Sequence, residues 1–328
     1  MRIFSFDPEA YRDEFESQGW VHITQGVTEE FLDYMKEYIS ASFMGLEGFA
    51  IAGKKEQSLF EFPDGADYPN ELFEMVSRIG SLNRPTMTLS ERHIQSYDGQ
   101  ADPQPTPHKD RYASQVSVGF SIDTTPESEL VLYPNDERQL NPYNSAHLHH
   151  KRLQPQFSPE HALQDATEVV ISDEPGDVII FPGSRTWHLR RKAAHSVILY
   201  CKFNDFECDP LGEDPFTPVR RNATLGLIER ESRARLSEAS PVMARQLDYL
   251  SLMSMRQDDE AMVAHVWGQE PMLLSDTQAM VLRSMANGST VREITGGLAT
   301  GDRRLEGLVD DVVRLADLGV IDLIAASA

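Results

Sequence analysis

The sequence predicts a mixed α+β fold in which helices flank a small barrel of short β-strands. Three short apolar runs in the middle of the chain support this prediction: residues 116–122, 178–181 and 197–203. Each run is typical of a strand, either in its alternation of side chains and its β-forming residues or in the turn residues at its ends. Both ends of the 328-residue chain carry helical patterns instead. A chain of this length can bury a sizeable core and can hold two domains.

The N-terminal part is predicted to contain two helices around one strand. Residues 8–18 place Tyr11 and Phe15 on one helical face, and residues 19–23 form a short apolar strand. A second helix is expected over 28–39, with Thr28 as its N-cap and two carboxylates in its first turn.

The middle part, residues 86–205, contains the predicted barrel strands. The run 178–181 begins after a Gly-Asp turn and stops at Pro-Gly, which marks its limits as a strand. Within this part, residues 134–160 are polar and rich in His, Asn, Pro and Gln. They are predicted to be an insertion between barrel strands, and such loops often cover an active site.

The C-terminal part begins with a linker at residues 209–215. Residues 220–266 are expected to be mostly helical, with one break at Ser240-Pro241. Three helices and a strand then follow at 276–286, 290–298, 302–318 and 320–324. The predicted domains are therefore 1–208 (barrel), 209–265 (linker and helical segment) and 266–328 (small helical module).

Composition limits the classes of partner. The chain is 40% hydrophobic and 25% charged, with a formal net charge of −22. Such a charge argues against nucleic acid and anionic membranes as partners, because phosphate contacts need clustered Lys and Arg. It slightly favours a cationic or neutral substrate. The sequence has only two cysteines, charged residues close to its N-terminus and no long apolar run. These features predict a cytoplasmic protein.

Two segments far apart in the sequence carry the candidate chemistry. The first is His108-Lys109-Asp110, and the second is Gly-Asp-Val-Ile-Ile-Phe-Pro-Gly at 176–183, followed by Trp187-His188. Two imidazoles and one carboxylate are the set that holds a non-haem Fe(II) on one face and leaves the other positions open. Strands of a small barrel would bring the segments together. The alternative is an exposed turn at 108–110 and a His188 that only ends a strand.

The order and spacing of several short motifs resemble the phytanoyl-CoA dioxygenase-like family. The motifs are the segment Phe-Glu-Ser-Gln-Gly-Trp-Val-His-Ile at 15–23 with the helix at 27–39, the His108–Asp110 turn with residues 120–123, the run Ser-Glu-Leu-Val-Leu-Tyr-Pro at 128–134, and the 176–188 block. The resemblance covers about residues 10–205.

This resemblance implies a double-stranded β-helix of the jelly-roll or cupin type. It implies a dioxygenase that uses Fe(II), 2-oxoglutarate and O2, with ascorbate as an optional reductant. His108, Asp110 and His188 would be the iron ligands. Asp110, where a halogenase has a small residue, favours hydroxylation. The expected reaction is hydroxylation of an unactivated C–H of a small molecule, such as an amino-acid-like or natural-product intermediate.

One departure concerns the cation that pairs with the distal carboxylate of 2-oxoglutarate. The family usually places an Arg about ten residues beyond the distal His, and residues 194–199 contain none. Lys202 is the first candidate, because it shares strand parity with Ser196 if Ser196 faces the interior. Arg190 is the second candidate, since it shares parity with His188. Ser196 and Gln95 are further candidates for the co-substrate site, and Gln95 is expected to donate a hydrogen bond to the co-substrate. A solvent-exposed Lys202 at a strand end remains the alternative.

Three further features have a functional and a structural interpretation. Tyr112 shares strand parity with His108 and Asp110 and is therefore a candidate substrate contact. Trp187 is placed either against the substrate or in the core. The histidines at 147, 149 and 150 are predicted to belong to a polar surface loop, because no carboxylate or Cys stands at ligand spacing.

The C-terminal module resembles a winged helix in its order of helices and final strand. Residues 270–328 contain five Arg, no Lys and nine acidic residues, so a nucleic-acid partner is not expected. Protein contact is favoured: dimerisation, a lid, or docking of a carrier or peptide substrate through 266–328. Two alternative functions therefore stay open, an oxygenase of a protein, peptide or carrier-bound substrate and a non-catalytic cupin-like ligand-binding protein. The sequence leaves the oligomeric state undetermined.

Overall fold

The chain divides into two compact units, residues 1–207 and 208–328, in a computed structural model. The structure describes residues 1–42, 49–51, 55–64, 67–134, 140–256, 259–286, 288–299 and 305–325. Each unit has its own hydrophobic core. Residues 209–265 therefore belong with 266–328 in one unit, and not to a separate segment between two domains.

The first unit combines helices with ten strands among its described residues. Its helices are α1 (Arg12–Gln18), α2 (Glu29–Ser42), α3 (Tyr68–Gly80), α4 (Ala146–Arg152) and α5 (Pro159–Ala162). Its strands are β1 (Val21–Ile23), β2 (Phe49–Ile51), β3 (Lys55–Leu59), β4 (Thr88–Tyr97), β5 (Val116–Asp123), β6 (Glu129–Tyr133), β7 (Val169–Ile171), β8 (Val178–Phe181), β9 (Trp187–Arg191) and β10 (Val197–Asn204).

Two antiparallel sheets form the frame of this unit. The larger sheet has the strand order β1-β8-β5-β10-β4-β3-β2, and the smaller has the order β7-β6-β9. Their inner faces share one apolar cluster, in which Leu130, Leu132 and Ile171 of the small sheet meet Ile179 and Phe181 of the large one. The strand that contains His188 therefore faces the large sheet across a common interior.

The other face of the large sheet packs against helices. Phe31 of α2 and Phe73 of α3 belong to the same buried cluster as Phe120, Leu199 and Phe203. Because side chains alternate along a strand, Leu199 and Phe203 point to the helices, and Tyr200 and Lys202 point to the interior. The helix α2 begins as predicted, since Thr28 Oγ1 accepts the N–H of Phe31 at 3.2 Å.

Most sequence-predicted elements of the first unit are confirmed. The three middle strands occur at 116–123, 178–181 and 197–204, and α2 covers the predicted second helix. The first predicted helix starts with a 3-10 turn, Pro8–Tyr11, before α1. The predicted insertion contains α4 and α5, and its residues 135–139 lie outside the described residues.

The second unit is partly helical and partly strand. Its helices are α6 (Phe216–Arg230), α7 (Arg233–Leu236), α8 (Asp276–Ser284), α9 (Val291–Leu298) and α10 (Leu305–Asp317). Its strands are β11 (Ser240–Met243), β12 (Leu247–Arg256), β13 (Asp259–Val266), β14 (Met272–Leu273) and β15 (Ile321–Ile324). The predicted order of three helices and a final strand is confirmed.

The helical prediction for 240–266 is wrong. β11 pairs with β15, and β12 pairs with β13 along most of its length. Leu and Met are good helix formers, but the pairing of β12 with β13 and the burial of Met262, Ala264 and Val266 override that preference. Among the described residues, no helix is long and apolar enough to cross a membrane.

Candidate metal centre and adjoining cavity

Backbone hydrogen bonds join the two segments that carry the candidate ligands. His108 and His188 form an antiparallel bridge in which each N–H donates to the other's carbonyl at 2.9 Å. The N–H of Asp110 donates to the carbonyl of Gly183, also at 2.9 Å. The turn at 108–110 is therefore fixed to β9 and to the loop after β8, as the Fe(II) interpretation requires.

The three side chains converge on one point. One ligand atom from each of His108, Asp110 and His188 lies within 4.8 Å of the other two. Asp110 Oδ1 is 3.9 Å from His108 Nε2, and Asp110 Oδ2 is 3.8 Å from His188 Nε2. In the described part of the chain, no other group of three His, Cys, Asp or Glu residues meets this condition.

The ligands are oriented by neighbouring groups. His188 Nδ1 lies 2.9 Å from the carbonyl of Thr186, which can only accept, so Nδ1 carries the proton and Nε2 keeps its lone pair. Ser117 Oγ donates to Asp110 Oδ2 at 3.0 Å, and Lys202 Nζ donates to Oδ1 at 3.0 Å. Burial opposes the charge of Asp110, but Lys202 and the two imidazoles hold its carboxyl pKa well below the usual range.

This donor set fits a divalent ion such as Fe(II). Two imidazole nitrogens and one carboxylate suit that ion, and three protein ligands leave positions for small molecules. Asp110 and His188 are buried, whereas the side chain of His108 is 36% exposed. Gly183 leaves room for the Asp110 carboxylate, because it has no side chain and an added Cβ would lie 2.6 Å from Asp110 Oδ2.

A cavity adjoins the three ligands. It is small, with a volume of about 40 Å3, and it opens to solvent. Its walls are formed by the ligands and by six further residues: Gln95, Tyr97, Leu130, Arg190, Tyr200 and Lys202. The sequence-based placement of Lys202, Arg190 and Gln95 around one interior space agrees with this lining.

Lys202 is buried and held between two carboxylates. Its Nζ lies 3.0 Å from Asp110 Oδ1 and 3.1 Å from Glu91 Oε1. Burial disfavours its charge, but Asp110 and Glu91 raise its pKa. The alternative of a solvent-exposed strand-end lysine is wrong.

Arg190 is the second buried cation at the cavity. Its guanidinium makes a bidentate pair with Asp173, at 2.9 and 3.0 Å, and donates to Ser128 Oγ at 3.1 Å. Tyr200 is hydrogen-bonded to Arg190. The Nε–H of Arg190 is buried and has no hydrogen-bond partner among the described residues. Arg190 thus keeps one donor without an acceptor in the part of the chain that the structure describes, and it lines the same cavity as Tyr97 and Tyr200.

Three sequence-predicted site residues do not line the cavity. Tyr112 stacks on Phe206 instead, with ring centroids 6.3 Å apart. Residues 109–114 are not a strand, so side-chain alternation does not direct Tyr112 to the same side as His108 and Asp110. Trp187 directly precedes His188 on β9 and so points to the opposite side of the strand. Ser196 is buried, but the cavity wall does not include it.

The histidines of α4 pack against Trp187. The ring centroid of His149 lies 5.5 Å from that of Trp187, and the ammonium of Lys109 lies 5.0 Å from the indole. His149 is buried, so the prediction of a surface loop is wrong for this residue. Burial, reinforced by Lys109 and His150, lowers its pKa to about 4.

Sequence reasoning missed four residues that support the site. Glu91 and Asp173 supply the anionic partners of the two buried cations, and Ser117 and Gly183 contact or make room for Asp110. Strand parity could have shown that Glu91 faces the interior, since it is four residues before Gln95 on β4 and therefore on the same side of the strand.

Known proteins resemble this chain in structure only. No protein family and no curated protein matches it in sequence. The solved structures that it resembles include the non-haem α-ketoglutarate-dependent epimerase SnoN from nogalamycin biosynthesis (TM-score 0.45, 12% identity, 60% of this chain and 83% of that one). A Pseudomonas putida prolyl-4-hydroxylase has TM-score 0.43 and 13% identity, over 60% and 98% of the two chains. EvdO2 from Micromonospora carbonacea var. aurantiaca, complexed with 2-oxoglutarate, has TM-score 0.44 and 15% identity, over 62% and 92%.

By their descriptions, the first is an α-ketoglutarate-dependent epimerase, the second is a hydroxylase and the third is complexed with 2-oxoglutarate. None of the three reaches a TM-score of 0.5. The function of this chain therefore rests on the geometry of its own site.

Proposed function

We propose that this protein is a non-haem Fe(II)- and 2-oxoglutarate-dependent dioxygenase that hydroxylates a small molecule. One observation carries the proposal: His108, Asp110 and His188 converge beside a cavity whose lining includes a buried arginine, Arg190. The two facing sheets would then be the double-stranded β-helix of the phytanoyl-CoA dioxygenase-like family. The second unit would be its winged-helix-like appendage, and the cytoplasm its location.

The charges around the cavity suit this pair of cofactors. Asp110, Glu91 and Asp173 offset three cations by direct ion pairs: Lys202, Arg111 and Arg190. A divalent metal ion and a dianion together add no net charge to this balanced interior. Either one alone would leave a buried charge without compensation, which is costly.

Arg190 is the better candidate for the distal carboxylate of 2-oxoglutarate. Lys202 already donates to Asp110 and Glu91, whereas Arg190 has its Nε–H left without a partner. Tyr97 and Tyr200 also line the cavity, where the Tyr97 hydroxyl donates to Gln95 Oε1 at 3.0 Å and Tyr200 can supply a hydroxyl donor. A guanidinium is also the stronger and more directional partner for a carboxylate.

The chain's own groups would orient the reactants and exclude water. His108, Asp110 and His188 would hold the ion. With 2-oxoglutarate and O2, the bound iron would supply the oxidising power to hydroxylate an unactivated C–H, and 2-oxoglutarate would leave as succinate and CO2. Phe181 packs against the His188 ring and Leu130 lines the cavity, and these apolar side chains would limit water near a bound metal ion. Asp110 as a carboxylate ligand favours hydroxylation over halogenation.

An anaerobic titration tests the proposal. Fe(II) followed by 2-oxoglutarate is expected to produce a weak visible charge-transfer band, because a 2-oxo acid chelates an open-faced iron site. Succinate, which lacks the 2-oxo group, should produce no band. His188→Ala should abolish the band, and His147→Ala, an exposed histidine of α4, should leave it unchanged. A wild-type protein that binds Fe(II) without the band would contradict the use of 2-oxoglutarate.

The assignment of Arg190 has its own test in the same titration. Arg190→Met combined with Asp173→Asn removes a cation and its paired anion, so the interior stays balanced. We expect the Kd for 2-oxoglutarate to rise about tenfold or more, which is the loss of a charge-assisted hydrogen bond, while Fe(II) affinity stays constant. An unchanged Kd would reject Arg190 as the carboxylate partner.

A protein, peptide or carrier-bound substrate, docked through residues 266–328, stays a prediction. A non-catalytic cupin-like role predicts no substrate-dependent release of succinate, so a succinate assay separates it from both oxygenase functions.

A further inference from the structure

A buried ion pair lies directly next to the carboxylate of the candidate metal site. Glu91 on β4 is the register partner of Lys202 on β10, and their charged groups are 3.1 Å apart. Glu91 is 2% exposed and Lys202 is 7% exposed. Glu91 also lies 3.2 Å from Arg111, which holds it in place from the other side.

Lys202 and a bound metal ion would share one carboxylate. The Lys202 ammonium donates a hydrogen bond to Asp110 Oδ1 at 3.0 Å, and Ser117 Oγ donates to Asp110 Oδ2. A cation at the three ligands would therefore meet a second positive charge on the same carboxylate. In a water-poor interior such charges are weakly screened, so the Lys202 charge opposes metal binding and the Glu91 charge favours it.

We propose that the Glu91–Lys202 pair sets the affinity of the His108–Asp110–His188 site for divalent metal. The positive charge of Lys202 would weaken the attraction between the Asp110 carboxylate and the ion, and the negative charge of Glu91 would partly cancel that effect. Both are positioning residues that act through Asp110. This role differs from binding the co-substrate, and it rests on the metal site of the proposed function.

The two charges should have opposite effects on metal affinity. Lys202→Met removes the competing cation and leaves Glu91 near the site, so Co(II) should bind tighter, by roughly tenfold or more. Glu91→Gln removes the negative charge that compensates Lys202, so Co(II) should bind more weakly by a similar factor. The double variant removes one charge of each sign and should return close to the wild-type affinity.

Titration with Co(II) alone measures these affinities, through its visible absorption and by competition with a chromophoric chelator. Far-UV circular dichroism and thermal unfolding check that each variant is folded. Lys202→Gln serves if the Met variant does not fold, because Gln can still donate to Asp110 without carrying a charge. Lys151→Met and Glu61→Gln, which change exposed charges of the same types, should leave the Co(II) affinity unchanged.

Opposite shifts in the single variants, cancelled in the double variant, would support the inference. Shifts of the same sign, which a purely structural role would produce, would overturn it, and so would unchanged affinities. A wild-type protein that does not bind Co(II) would overturn the metal site itself. Wild-type binding with the wrong pattern in the variants would overturn only the role of the pair.

Discussion

Gly183 shows how one missing side chain shapes the metal centre. Its carbonyl accepts the N–H of Asp110, and an added Cβ would collide with both Ser117 Oγ and Asp110 Oδ2. The backbone of Gly183 does not have a positive φ, so conformational freedom is not the reason for glycine here. The reason is space, since the carboxylate fills the position of a methyl group.

We therefore predict that Gly183→Ala displaces the Asp110 carboxylate. The affinity for Co(II) should fall by roughly 10- to 100-fold, as for the loss of a group that orients a ligand. The free energy of unfolding should fall by about 1–3 kcal/mol from overpacking. Metal titration and urea unfolding measure the two effects.

Gly296→Ala is the matched control. Gly296 lies in α9, and nothing lies within 4 Å of its added Cβ. Alanine should stabilise that helix by about 0.5–1 kcal/mol and leave metal affinity unchanged. A Gly183→Ala protein with wild-type metal affinity would contradict the packing around Asp110.

At the scale of elements, single strands carry pairs of functional residues two or four positions apart. β9 directs His188 and Arg190 to the cavity, and β4 directs Glu91 and Gln95 to the same interior. Period-two alternation makes this possible, because one face of each strand lines the interior while the other packs on helices or the surface.

The same rule explains how much the sequence could predict. The ligand triad, the parity of Lys202 and Arg190 and the three middle strands follow from residue type, spacing and alternation. Parity cannot show which residue of one strand meets which residue of another, so the partners Glu91 and Asp173 were not predictable. Tyr112 was misplaced because the turn after Asp110 is not a strand. Residues 240–266 were misassigned because long-range strand pairing overrode their helix propensity.

The segment before α6 contains a buried carboxylate that links stability to pH. Asp209 accepts the N–H groups of Glu213 and Asp214 at 3.0 and 3.1 Å, and burial raises its pKa to about 6. Its unfolded pKa is about 3.9, so the folded state holds the proton more tightly. This contribution is fully present below pH about 4 and is lost as the pH rises through about 6.

We predict that the second unit loses on the order of 2 kcal/mol of stability from Asp209 between these pH values. Asp209→Asn carries no titrating group and should flatten that part of the stability profile. Urea unfolding at pH 4.5 and pH 7, followed by hydrogen exchange of peptides around residue 213, compares the variant with wild type. The same pH slope in both proteins would contradict the raised pKa.

At the scale of the whole molecule, the boundary between the units determines which truncations are meaningful. The sequence suggested a module starting at 266, but the structure divides after Glu207. The core of the second unit combines Leu236, Ala239 and Met262 with Val312 and Leu315. Removing residues 266–328 would remove most of that core, expose the remainder and leave β11 without β15.

We predict that residues 1–207 alone are folded and bind Co(II) with the affinity of the full chain, because all ligands and cavity residues lie in the first unit. A chain of residues 1–265 should instead aggregate or show an unfolded C-terminal part. Analytical ultracentrifugation and metal titration of both chains provide the comparison. A fragment 1–207 that folds but binds no metal would contradict the location of the site.

The bridge between His108 and His188 has a consequence for the lifetime of the folded chain. Two backbone hydrogen bonds join these two residues, and the bridge closes a loop that runs from residue 108 to residue 188. An ion held by both imidazoles would act as a reversible cross-link over that loop, as a disulfide does, and the restriction of the unfolded chain grows with loop length. The supply of metal would then control how long the folded protein survives proteases.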